Sequence, residues 1–178
     1  MCGALIATIS AEDGESAKKE VSIANNTLSV YVDILPGVCP RVFNINGQGL
    51  LPIAVLGTND FDTSTIDPST INLMRDGSAG KIAPFRWHYE DVASPSVSEN
   101  ESCQCHMAGA DGHDDLILEF DIYKLVKLLD LQKFAGNNVV LNFTGTLQEN
   151  ASVQSSSLEG SDCISVSDVS QFIDHRSG

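Results

Sequence analysis

The chain has 178 residues, 42% of them hydrophobic, and its 24 acidic side chains against 10 basic ones give a formal net charge of −14. That length and apolar share suffice for one proper core, so one domain is expected. The acidic balance argues against nucleic acid or an anionic membrane surface, which need clustered Lys and Arg, and is compatible with solubility or cation binding. No apolar run reaches the ~18 residues of a membrane span.

In chain order, residues 1–20 read as a leader or a flexible N-terminal tail. MCGALIATIS has a short apolar patch ending in small residues: the remnant of a signal-peptide core cut near Ser10 or Ala11, or a pairing N-terminal strand. EDGESAKKE at 12–20 is a charged linker. The domain is expected over 21–166. From Leu28 the sequence alternates, with Leu28, Val30, Val32 and Ile34 on one face and Ser29, Tyr31 and Asp33 on the other. This predicts a half-buried strand closed by Pro36-Gly37. GLLPIAVLG at 49–57 is a second strand, which Pro52 places at an edge or a bulge. Asp60, Asp62 and Asp67 supply turns and caps, and Asp67-Pro68 initiates a turn before a short strand at 69–74. DGSAGK at 76–81 is a loop, and 84–93 is a strand alternating Phe85, Trp87 and Tyr89 against Arg86, His88 and Glu90.

The stretch from Cys103 to Phe120, CQCHMAGADGHDDLILEF, is the most specific chemically: a Gly-rich loop dense in candidate metal ligands runs straight into a strand at 116–120. Asp121 is placed to N-cap the one helix, near 121–131, with Ile122, Leu125, Val126, Leu128 and Leu129 at helical spacing and Gly136-Asn137 as its stop. Two further strands are expected at 138–148 and 158–166, and 167–178 reads as a C-terminal tail. Short strands, close turns and one short helix predict an all-β fold, an antiparallel β-sandwich (Ig-like).

Set against the EF-hand calcium pattern with Gly112 at position 6, Asp111 takes position 5, His113 offers the position-7 carbonyl and Asp115 takes position 9. Met107 and Gly109 fall where oxygen side chains belong, and Leu118 stands in place of the bidentate Glu. Asp114, Glu90 or Asp91 would have to complete a site, so calcium is expected as a weak ligand. The rival reading is a tight turn in which Asp111 and Asp115 accept backbone N–H groups.

An ordered set of segments carries a resemblance: VDILPGVCP, LPIAVLGTNDFD, IDPSTINL, RWHYEDVA, CQCHMAGADGHDDLILEF, FTGTL and LEGSDCISV, spanning 31–166. Together they resemble a non-catalytic module of secreted and cell-surface microbial proteins, in which Asp and Asn stand at the positions of Met107 and Gly109. The resemblance implies a β-sandwich with a calcium-type loop, degraded here, in a secreted or surface setting, with a surface protein or a glycan as partner. Of five cysteines, Cys2 lies in the expected leader and leaves an even four. Cys39 follows the first strand and Cys163 lies in the last, and a bond between them would contribute about 4 kcal/mol in the chain-entropy model. Cys103 and Cys105 can bond each other or other partners. With His106 they also suggest a zinc site, one ligand short at suitable spacing unless His88 approaches. Sequons occur at Asn25, Asn100, Asn142 and Asn150.

No nucleophile with its base is recognisable: G-x-S-x-G, H-E-x-x-H and a phosphate loop are all missing, and the adjacent pairs Glu90/Asp91 and Asp114/Asp115 point to opposite strand faces. An enzyme is therefore not expected. Phe85, Trp87 and Tyr89 are expected in the core, the alternative being an aromatic platform for sugars. The expected role is a non-catalytic extracellular structural or adhesion module, with a carbohydrate-binding module or a glycan-processing enzyme as the alternative.

Overall fold

The computed structural model describes residues 27–96, 103, 105–148 and 157–169; the expected leader, Cys2, the sequons at Asn25, Asn100 and Asn150, and most of the C-terminal tail lie outside them. The strands are β1 (Thr27–Ser29), β2 (Val32–Ile34), β3 (Val42–Asn44), β4 (Leu50–Val55), β5 (Ile66–Arg75), β6 (Lys81–Ile82), β7 (Arg86–Glu90), β8 (Ala93–Ser94), β9 (Met107–Ala108), β10 (Asp115–Asp121), β11 (Asn138–Leu147) and β12 (Ser157–Ser167), with one α-helix, α1 (Ile122–Leu128). They form a six-stranded sheet in the order β1-β12-β11-β5-β6, with β3 also on β12, a four-stranded sheet β2-β4-β10-β7, and a small β8-β9 ribbon. The fold is all-β and sandwich-like. Pairing is mostly antiparallel, but β1 and β3 both run parallel to β12, a feature that alternation alone does not predict.

One core lies between the sheets. Val32, Ile34, Ile53, Val55, Leu116, Leu118 and Phe120 face it from the four-stranded sheet, and Ile71, Leu73, Leu141, Phe143, Ile164 and Val166 from the other. Strand β10 is buried on both faces, because Ile117 joins Ala54, Leu56 and Ala93 in a second small cluster on the outer side. Pro52, expected at an edge, sits in β4, which is central. The ladder tolerates it because the Pro52 carbonyl turns toward β2 and accepts the Leu35 N–H at 3.0 Å. Its nitrogen faces the same way, where β2 has already ended at Ile34, so no acceptor is left waiting there. Asp67-Pro68 does turn, but inside β5: register with β11 shifts between Thr144 and Thr146, and Asp67 accepts from both the N–H and the hydroxyl of Ser69.

The Asp121 side chain caps α1 by accepting the Lys124 N–H at 2.8 Å. The helix ends at Leu128, earlier than its apolar spacing implies, because Asp130 adopts a left-handed conformation and 131–134 forms a separate 3-10 turn. The 76–81 loop docks on that helix end so closely that a side chain at Gly80 would run into the Leu128 carbonyl.

The disulfides correct the expected Cys39–Cys163 pairing. Cys39 bonds Cys105, and Cys103 bonds Cys163, with Cα separations of 5.9 and 4.8 Å. The cause is strand alternation. Asp162 and Ile164 turn toward the four-stranded sheet, so Cys163 between them is on the opposite, outer face of its strand. The segment at 103–105 bridges Cys39 and Cys163. Each bond closes a loop of sequence separation 66 or 60, on the order of 4 kcal/mol in the chain-entropy model. Mass spectrometry of an unreduced digest should recover the 39–105 and 103–163 linked peptides; a 39–163 peptide would refute this connectivity.

Candidate functional site

Three groups of residues meet around the start of β10 and the edge strand β7. The first is the acidic loop. Asp115 opens β10 fully buried, and its two oxygens are engaged: Oδ1 accepts the Gly57 N–H at 2.8 Å, and Oδ2 accepts those of Val92 and Ala93 at 2.9 and 3.1 Å. Burial pushes its carboxyl pKa up, against those hydrogen bonds, which pull it down. A side chain at Gly57 would come within 2.5 Å of the Asp114 carbonyl, so glycine lets the two segments meet. Asp91 grips the loop tip, accepting the N–H groups of Asp111 and Gly112 at 2.9 and 2.7 Å. Asp111 accepts the His113 N–H at 3.0 Å, as in an Asx turn. The Asp114 carbonyl accepts the Thr63 hydroxyl, and Glu90 lies 3.4 Å from His88 Nε2 on β7. Asp111, His113, Asp114 and Asp115 thus follow one another around the turn without converging on one centre, and among the described residues no three His, Cys, Asp or Glu side chains gather as a metal set.

The second group was not singled out from the sequence. Arg41, buried in the loop before β3, donates to Asp33 of β2 at 2.6 Å and lies 3.0 Å from Asp162 of β12. Asp162 also accepts the N–H groups of Ile34 and Cys163. Two carboxylates share one guanidinium, and burial pushes the Asp162 pKa up to about 6. His106 covers this cluster: its Nδ1 accepts the Ser96 N–H and its Nε2 donates to the Val32 carbonyl, both at 3.2 Å. Burial, ahead of neighbouring charges, holds its pKa below the ordinary value, so the ring is neutral. With both ring nitrogens engaged and Cys103 and Cys105 oxidised, the soft-metal ligands that suggested zinc are spent. The one hint in the sequence was the Asp-Cys step at 162–163.

The third group is β7, all of it exposed. Trp87 and Tyr89 lie opposite Leu118 and Leu116 of β10 and so share the inner face of the sheet. The expectation that Phe85, Trp87 and Tyr89 are core is corrected: they are 66, 46 and 42% exposed. Strand β7 is an edge, and the facing sheet ends in the two-residue β6, which is too short to cover it. Partial burial and the charge of Asp62 raise the Tyr89 pKa. On the outer face Arg86 pairs with Glu119, and a shallow depression of about 290 Å³ is lined by Pro36, Pro52, His88, Glu90, Ile117 and Glu119. The Arg86 hydrogen bond holds the Glu119 pKa below the usual range, the opposite of what a general acid needs.

Two outcomes follow from these geometries. Asp115→Ala leaves three buried N–H groups without their acceptor and should cost on the order of 3–5 kcal/mol in chelator as well as in calcium; denaturant unfolding showing a loss only in calcium would make Asp115 a metal ligand instead. The raised Asp162 pKa means the folded state holds a proton that the unfolded chain has released, so its contribution is present below about pH 4 and is lost as pH rises through about 6. The difference between the wild-type and Asp162→Asn unfolding free energies should therefore change across that interval, and parallel curves would refute the assignment. Compared with known protein families, curated proteins and solved structures, the chain matches none of them.

Proposed function

We propose that this chain is a non-catalytic structural or adhesion module working outside the cell, and that its contact surface is the aromatic row on β7. The carrying observation is the exposure of Trp87 and Tyr89 on β7 and of Phe85 just before it, since large aromatics left uncovered mark interaction sites. Two disulfides suit an oxidising compartment, and no helix among the described residues is long and apolar enough to cross a membrane. The ordered motifs over 31–166 support the same reading. The buried carboxylates Asp33, Asp115 and Asp162 serve as acceptors within the fold rather than as a reacting pair.

A second reading, a carbohydrate-binding module, is favoured by the exposure of Trp87 and Tyr89, whose ring faces are suited to sugar rings. The glycan-processing enzyme has less support, because Glu119 is tied to Arg86. Any calcium taken by the 107–115 loop would rely on Asp111 and Asp114 with water, since Asp115 is engaged, which keeps affinity on the order of 0.1–1 mM. Restoring the loop is limited to Met107→Asp, because Gly109 has φ +113° and Asn there would be strained.

A glycan array and a pull-down from cell-surface extract, run with wild type, Trp87→Ala and Tyr89→Ala, test the surface. Binding should fall about tenfold or more in either variant, a loss of ~1.4 kcal/mol, with the melting temperature unchanged. A partner retained equally by both variants would place the contact elsewhere.

A further inference from the structure

Strand β7 is the longest of the outermost strands among the described residues. The other outer strands, β1, β2, β3 and β6, have three residues or two. The β2 edge is also capped, because His106 reaches the Val32 carbonyl. Strand β7 has five residues and, among the described residues, pairs with β10 alone. Proteins blunt such edges with lysine, proline, bulges or inward-pointing charge. Arg86–Glu90 contains neither lysine nor proline, and its inward positions are Trp87 and Tyr89.

The order of residues along this edge says what fits it. Read as Arg-Trp-His-Tyr-Glu and turned end for end about His88, the strand sets positive against negative and aromatic against aromatic. We propose that β7 pairs antiparallel with β7 of a second copy about a two-fold axis at His88, joining two four-stranded sheets into one of eight strands. Going beyond the role proposed above, this gives the aromatic row a defined occupant.

In that register Arg86 lies opposite the second copy's Glu90, and Trp87 opposite the second copy's Tyr89. Each pair occurs twice by symmetry, as an isologous contact requires. Directly opposed residues share a face, so the ion pairs form on the outer side and the aromatic pairs on the inner side. The aromatic pairs cover the very rings that the two-residue β6 leaves exposed. An acidic partner would instead meet a chain of net charge −14 without this local compensation, and so would a parallel register, which sets Arg86 against Arg86.

Sedimentation equilibrium of the 178-residue chain, at an ionic strength that screens the net repulsion, should show the mass rising with concentration from 19.0 kDa toward twice that value. Emission from Trp87, the only tryptophan, should shift to the blue over the same range. Arg86→Glu and Glu90→Arg should each stay monomeric alone, associate with each other when mixed, and dimerise again when both changes are in one chain; thermal melts report whether each variant is folded. A wild type that is monomeric throughout, or single variants that dimerise as tightly as wild type, would overturn the proposal. So would a soluble oligosaccharide that shifts the Trp87 emission while the mass stays that of one chain and does not rise with concentration, which would assign the row to sugar.

Discussion

Arg41 ties the two sheets together through charge. Its guanidinium reaches Asp33 on β2 and Asp162 on β12, strands of different sheets, and Asp162 adds a hydrogen bond to the Ile34 backbone. Removing charges from water is costly, and replacing such a cluster by apolar residues is often no less stable. Its significance lies in geometry: both carboxylates are oriented by one planar cation, so β2 cannot slide along β12 without leaving a buried charge unpaired. Burial, ahead of the neighbouring Asp33 charge, is why a proton settles so readily on Asp162. His106 and both disulfides pack at this same end, where the chain crosses between sheets three times from β1 to β3 to β4. Charge, sulfur and backbone hydrogen bonds thus all fix one edge of the sandwich.

The acidic loop follows the same logic. A chain with 24 acidic side chains invites cations to hold them together. Here the carboxylates that lie near one another are spent instead on backbone N–H groups: Asp115 takes three and Asp91 two. Hydrogen bonds to an ionised acceptor are stronger than neutral ones, and here they hold a Gly-rich turn in shape. The start of β10 is therefore organised by an anion among donors.

Much of this was legible in the sequence. The apolar run at 116–120 and the Asp121 cap each marked an element that is present, because those signals are local. The alternation from Leu28, read as one half-buried strand, spans two: β1, exposed and paired with β12, and β2 in the other sheet. What was hidden depended on partners distant in the chain. Cys39–Cys105 together with Cys103–Cys163 is one of the three connectivities open to four cysteines, and local sequence does not choose among them. Asp33 fell on the face read as outward, yet it is buried, because the Arg41 guanidinium lies against it. Trp87 failed the other way: its alternation is that of a core strand, and its exposure follows from the length of β6, five residues upstream of it and on the other sheet. Pro52 was misplaced because the rule against proline in central strands assumes that the neighbour on its nitrogen side continues, and β2 stops.

These errors share a geometry. The β2 side of the sandwich is more closed than alternation suggests, and the β7 side is more open. A rigid body that is sealed at one edge presents the other with little conformational freedom to lose, so whatever meets Phe85, Trp87 and Tyr89 is not also charged for ordering the strand that carries them. The aromatic side chains add little entropy of their own, having few rotatable bonds. The staples at Cys39, Cys103, Cys105 and Cys163 lie far in the sheet order from β7, which is fourth in a sheet whose first strand they flank. Between them and β7 stand β4 and β10, whose paired and buried Leu51, Ile53, Leu116 and Leu118 form a close-packed ladder.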